Sequence, residues 1–387
     1  MRADALDRAD RLYLLGVGSG LLVVTLLGPL ERRLELVNIN DFSGVWAGAR
    51  AVVLGGIDPY SPGWPEWARR LEAQVPNTVV YGYMPWVVLA LLPFGLLPLG
   101  PAAWIWMIAG ITAAVLGLRA LLRAFLPGRP ILHAFAGLAL LVSQPAVHSL
   151  VLGQWSFLLL GATALGVLGL RAGRPAPGAA LAVFLAKPQL FVLGGLGLLR
   201  EGLARGRPGR AFVGLATATA AAVVLAGWLA FPQWLAAFLT HVVPVRLERS
   251  ASLSSALGDL LGAAGPAVAL AAIGLMTLSA LAVRAGTDEA LAVWLALSLA
   301  AAPYLWSYDH LVLLTPLVIA AGALSRRDPR AGGRLLVAGL AALVLFSPVL
   351  YGVAVARGRE SFSALVPLLF FVSIAVALWP ARRGTGA

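Results

Sequence analysis

The chain of 387 residues contains no cysteine. That excludes disulfides, thiolate metal sites and cysteine nucleophiles. Lysine occurs once, at Lys187, among 29 basic residues. Histidine occurs four times at scattered positions, so the sequence offers no histidine metal site. No Gly-rich phosphate loop, metal signature or Ser-His-Asp order is present. Charge is scarce: charged residues make up 12% of the chain, against about a quarter in soluble domains. No polar stretch is long enough to build a soluble domain.

What is present is apolar. Hydrophobic residues make up 60% and the mean hydropathy is +0.88. Apolar runs of about 20 residues recur from end to end, which predicts an all-α integral membrane protein, one polytopic domain over 1–387. About twelve spans fit the pattern: 12–30, 83–98, 101–123, 131–148, 151–170, 177–200, 210–231, 265–284, 288–304, 308–324, 332–353 and 362–380. The net charge of +12 reads as arginine at membrane edges facing anionic headgroups, not as nucleic-acid binding. The first run is followed by Glu31, Arg32 and Arg33 rather than a small-residue cleavage site, which predicts a retained first helix.

Arg2, Arg8 and Arg11 place the N-terminus on the cytoplasmic side. Arg200, Arg205, Arg207 and Arg210, then Arg326, Arg327, Arg330 and Arg334, and finally Arg382 and Arg383 then fall inside as well. Both termini are expected in the cytoplasm. On this count Arg119, Arg123, Arg129, Arg171 and Arg174 land outside, against the rule, and a re-entrant or broken helix between 100 and 200 would relieve the conflict. Two long polar segments, 31–82 and 232–264, face outward. Their short amphipathic pieces are expected to lie on the membrane, with Trp46, Trp64, Trp67 and Trp234 in the headgroup layer.

Three places carry chemistry. Asp41 follows the first span and precedes an amphipathic run. A carboxylate there suits a general base that takes a proton from a hydroxyl, and it equally suits a helix cap; the two roles are compatible. Lys187 sits mid-span, followed by Pro188 and Gln189. An ionisable group at membrane depth is a functional hypothesis by default, and a lysine beside a proline break suits a phosphate. The alternative is a lysine that snorkels to the interface. The third place runs from Pro303 to His310. Trp306 suits a sugar or a prenyl chain, and Asp309 and His310 suit hydroxyls or a phosphate; an aromatic belt with a capping aspartate is the alternative. Weaker signals are Tyr83 before the second span and Gln154, which with Gln144 suits a contact across helices. Asp58, Pro59 and Tyr60 read as a turn.

In their order along 41–325 these landmarks resemble the polytopic glycosyltransferases of the GT-C superfamily. The nearest likeness is to family 87, which includes phosphatidylinositol mannoside mannosyltransferases. Asp41, Trp46, Ala47, Ala49, Gly56, Pro59 and Tyr60 match its opening motif. Tyr83 with Pro85, Gly153 with Gln154, Lys187 with Pro188 and Gln189, and Pro303, Trp306, Asp309 and His310 match the later ones. The resemblance implies a GT-C fold with structured first and fourth outer loops. It implies inverting transfer of a sugar, with mannose favoured, from a polyprenyl-phosphate donor to a lipid or glycan acceptor at the outer face of the plasma membrane. No metal or other cofactor is expected. Asp41 would be the general base, Lys187 and His310 would hold the donor phosphate, and Gln189, Asp309, Gln154, Trp306 and Tyr83 would complete the donor site. A secondary transporter or lipid flippase would also have about twelve spans and an intramembrane lysine. It would more often show an internal repeat and charges on several spans, which this sequence lacks.

Overall fold

In a bilayer every backbone N–H and C=O needs an internal partner, and an apolar chain meets that need by coiling into helices. A computed structural model describes residues 7–27, 41–71, 81–241 and 250–379, and among these no strand occurs. The order is α1 (Arg8–Leu27), α2 (Asp41–Gly55), α3 (Trp64–Arg69), α4 (Pro85–Gly95), α5 (Leu99–Phe125), α6 (Pro130–Val142), α7 (Gln144–Leu152) and α8 (Ser156–Arg171). Two tight 3-10 segments follow, Ala176–Ala186 and Pro188–Leu190. Then come α9 (Val192–Ala204), α10 (Gly206–Ala230), α11 (Trp234–His241), α12 (Leu253–Leu261), α13 (Gly265–Ala282) and α14 (Asp288–Ala300). A 3-10 turn, Ser307–Leu313, leads into α15 (Leu314–Ser325), followed by α16 (Pro329–Ala341), α17 (Ser347–Arg357) and α18 (Leu365–Leu378). The end of the expected first span at 28–30 and the parts of the expected outer loops at 31–40, 72–80 and 242–249 lie outside the described residues.

Seven of these helical stretches are long and apolar enough to cross a membrane, and eight if the bent pair α6–α7 counts as one. The chain is a multi-pass membrane protein. The other expected spans fall on shorter pieces: α4, α8, α14 and the broken stretch from Ala176 to Ala204. Burial sorts the bundle. The helix through Ser307–Ser325 is 94% buried, and α14 buries nearly all its side chains. Helix α10, at 11%, turns its apolar side chains outward.

Arg119, Arg123 and Arg171, which the span count sets across the membrane from the N-terminus, are linked to it by contacts. Arg119 and Arg123 both pair with Asp10, at the N-terminal end of α1. Arg171 donates to the carbonyl of Ala124, and Asp288 takes both Arg171 and Arg326. Glu201 pairs with Arg200 and Arg205 and accepts from the Gly286 amide. These groups therefore gather at one end of the bundle. The stretch 176–204 is two pieces rather than one continuous helix, and the 11 residues of α4 reach only about 16 Å at 1.5 Å per residue.

The tryptophans correct a second expectation. Trp46, Trp64 and Trp234 are 2%, 2% and 6% exposed, so protein rather than headgroups covers them. The Trp46 indole donates to the Leu97 carbonyl, and Arg50 lies over its ring. Helix α2 is thus packed on α4 and not laid on the surface.

Candidate functional site

The cavity forms where three breaks in helical geometry meet. The first is Gly153, which ends α7 in the left-handed conformation at φ 68°, a position where other residues are strained. The chain swings there, the Gln154 amide closes back on Ser149, and the Gln154 side chain donates to Oδ2 of Asp41. Asp41 lies in the first turn of α2, the positive end of a helix, where a carboxylate is favoured.

The second break is Lys187, with φ −141° and ψ 66° between the two 3-10 segments. Pro188 has no N–H to continue the ladder and disfavours helix at the residue before it. The carbonyl of Leu185 at the break is taken by the Trp86 indole at 2.6 Å. The opened backbone turns the Lys187 ammonium to Oδ1 of Asp309, 2.7 Å away, and 4.2 Å above the Tyr308 ring centre.

The third break is the turn at 303–309. Oδ2 of Asp309 accepts from the Trp306 amide at 3.1 Å, and Ser156 donates to Oδ1 at 3.4 Å. Asp309 has no exposed surface and is held by three donors.

Asp41, Tyr83, Gln154, Lys187, Gln189, Tyr304, Trp306 and Tyr308 line one cavity of about 180 Å³. Tyr83 reaches it because its hydroxyl donates to the Asp41 carbonyl at 2.9 Å, while Tyr60 donates to the Tyr83 carbonyl. Tyr60 is itself set by the turn in which Asp58 accepts from its amide. Burial holds the Tyr60 and Tyr81 hydroxyls above the ordinary phenol value, so both stay protonated. Behind the break, Leu185 and Pro188 also line a larger apolar groove of about 390 Å³, walled by Phe191 and by Phe212 and Val213 of α10. Among the described residues no three His, Asp or Glu side chains gather to hold a metal.

Six expected site residues, Asp41, Tyr83, Gln154, Lys187, Gln189 and Trp306, thus share one surface, and Asp309 stands directly behind Lys187. His310 does not join them. It has no exposed surface, and neither ring nitrogen has a hydrogen-bond partner among the described residues. The reason is the 3-10 turn: at three residues per turn, successive side chains point roughly 120° apart. With Asp309 aimed at Lys187, His310 is aimed into the packing. Tyr304 and Tyr308 were not among the expected site residues, although they lie in the aromatic run that signalled the turn.

Helices long enough to span a bilayer, with an acid and a lysine lining one cavity, define a multi-pass membrane protein with a polar cavity among its helices. The chain belongs to glycosyltransferase family 87, whose family model matches residues 81–307. It is a glycosyltransferase, and this sets the transporter reading aside. The matched region holds Tyr83, Gln154, Lys187, Gln189 and Trp306; Asp41 and Asp309 lie outside it. No curated protein and no solved structure matches the chain.

Proposed function

We propose that the enzyme moves a sugar, with mannose favoured, from a polyprenyl phosphate to a lipid or glycan acceptor, with inversion and without a metal. The observation that carries this reading is the placing of Asp41 and Lys187 on one small cavity beside an apolar groove. Asp41, oriented by Gln154, takes the proton from the acceptor hydroxyl. The hydroxyl oxygen bonds to the anomeric carbon as the bond from that carbon to the phosphate oxygen breaks. The polyprenyl phosphate leaves already charged, so no strong acid is needed. An ammonium has three N–H donors; Lys187 serves Asp309 with one and the departing phosphate with another. Trp306 and Tyr308 supply ring faces for the sugar, and Tyr83 and Gln189 its polar contacts. The prenyl chain lies in the groove behind Pro188.

The arginine end of the bundle faces the cytoplasm, with both termini, and the cavity end faces outward across the plasma membrane. Twelve crossings of a GT-C fold are retained if Ala176–Ala204 counts as two and α4 as none. Helices α2, α3 and α4 then furnish the first outer loop. The test is to incubate purified enzyme with polyprenyl-phosphate mannose, glucose and other sugars, and measure which donor is consumed. Consumption of one such donor supports the reading; consumption of a nucleotide sugar instead would refute it.

A further inference from the structure

Glu360 lies in the link between α17 and the turn Ser361–Ala364, outside the family-matched region and away from the cavity lining. Its Oε2 accepts from the Ser307 amide at 2.7 Å. Ser307 begins the helix that runs to Ser325, and its N–H is one of the amides a helix start leaves without an internal partner. A carboxylate there gains from both the helix dipole and a charge-assisted bond.

The link is not a loose tether. On its other side Asp259 of α12 accepts from Arg359 at 3.0 Å and from Ser361 at 2.6 Å. The circuit closes through the Ala251 amide, which donates to the Leu305 carbonyl at 2.8 Å. Ser307 is also held from inside: its hydroxyl meets His148 and Gln144 of α7, each at 3.1 Å. The residues next along the chain are Tyr308, under the Lys187 ammonium, and Asp309, bonded to it. Burial, with the nearby charge of Asp309, pushes the Glu360 carboxyl above the ordinary glutamate value.

We propose that Glu360 is a positioning residue for the donor-phosphate end of the site. It clamps the Ser307 amide from outside, fixes the turn that carries Tyr308 and Asp309, and through them sets where the Lys187 ammonium points. This rests on the reading of Lys187 as the phosphate-binding group.

Two measurements on the full chain in detergent test it. Hydrogen exchange of the 304–310 segment needs no substrate. Glu360→Ala should speed exchange there and leave α8 and α14 unchanged, while Glu360→Gln, which keeps an acceptor oxygen, should stay near wild type. Kinetics then use undecaprenyl-phosphate mannose as the probe. Glu360→Ala should raise the donor KM about tenfold, as for loss of a charged hydrogen bond, with kcat within about twofold. In an Asp309→Asn background the same change should add less than about twofold, because coupled residues are not additive. If Glu360→Ala fails to fold, Glu360→Asp, which withdraws the carboxylate by one methylene, takes its place with the same expected pattern. Unchanged exchange at 304–310, an unchanged KM, or a full further loss in the Asp309→Asn background would each overturn the proposal. A wild-type enzyme that ignores the probe would instead refute the donor reading, and the exchange result would still decide the role of Glu360.

Discussion

Lys187 and Asp309 are charged groups with little water around them, 12% and 0% exposed, and each is tolerated because of the other. Removing Lys187 leaves the Asp309 carboxylate buried without its counter-charge, which costs about 3–5 kcal/mol. Lys187→Ala should therefore lower stability by that order, measured by thermal unfolding in detergent, and Lys187→Ala with Asp309→Ala should be more stable than Lys187→Ala alone. A double variant as unstable as the sum of the two would mean that the residues do not interact. The sequence made each group conspicuous, the lysine as the one of its kind in an apolar run and the aspartate in an aromatic turn. Their pairing was not legible, because 122 residues separate them. His310 faces away from the cavity for a related reason: adjacency in sequence says nothing of facing until the local turn is known.

At the scale of the element, function depends on where helices fail. Pro188 marked the break in the sequence, yet the two 3-10 segments around Lys187 were read as part of one span, since composition does not distinguish a continuous apolar helix from a broken one. What supports the break is tertiary: the Trp86 indole on the Leu185 carbonyl. Helix α2 shows the same dependence. Its Gly44 and Gly48 face the rings of Tyr83 and Tyr81, and a methyl on Gly48 would meet the Tyr81 hydroxyl oxygen at 2.6 Å. Tyr81 cannot retreat, as Tyr60 and Trp64 pack against its ring. Gly48→Ala should cost about 1–3 kcal/mol by overpacking and reduce transfer by displacing Tyr83 from the cavity. A melting temperature and activity equal to wild type would contradict that account of the α2 seam.

Across the whole molecule, the cavity and one cluster of ion pairs lie at opposite ends of α5. Trp106 donates to Gly153 beside the cavity, while Arg119 pairs with Asp10 at the far end. The membrane class was legible from composition alone. The path of the chain was not, because sidedness was counted from spans and the structure breaks one of them. Ion pairs between distant helices, such as Arg119 with Asp10 and Arg326 with Asp288, tie the segments together. The absence of native cysteine makes this testable. A single cysteine at Ser61 should react with an impermeant maleimide in intact cells, and one at Arg207 should react only after lysis. The reverse pattern would invert the topology.

The central claim is that Asp41 takes the proton from the acceptor. It is tested most directly by the transfer rate of Asp41→Asn with the donor that the wild-type enzyme consumes. Asparagine keeps the shape and loses the base, and general-base catalysis contributes about 10²–10⁴-fold. The account expects kcat to fall by at least about 10² in a protein that melts as the wild type does. A folded Asp41→Asn enzyme with full activity would contradict it.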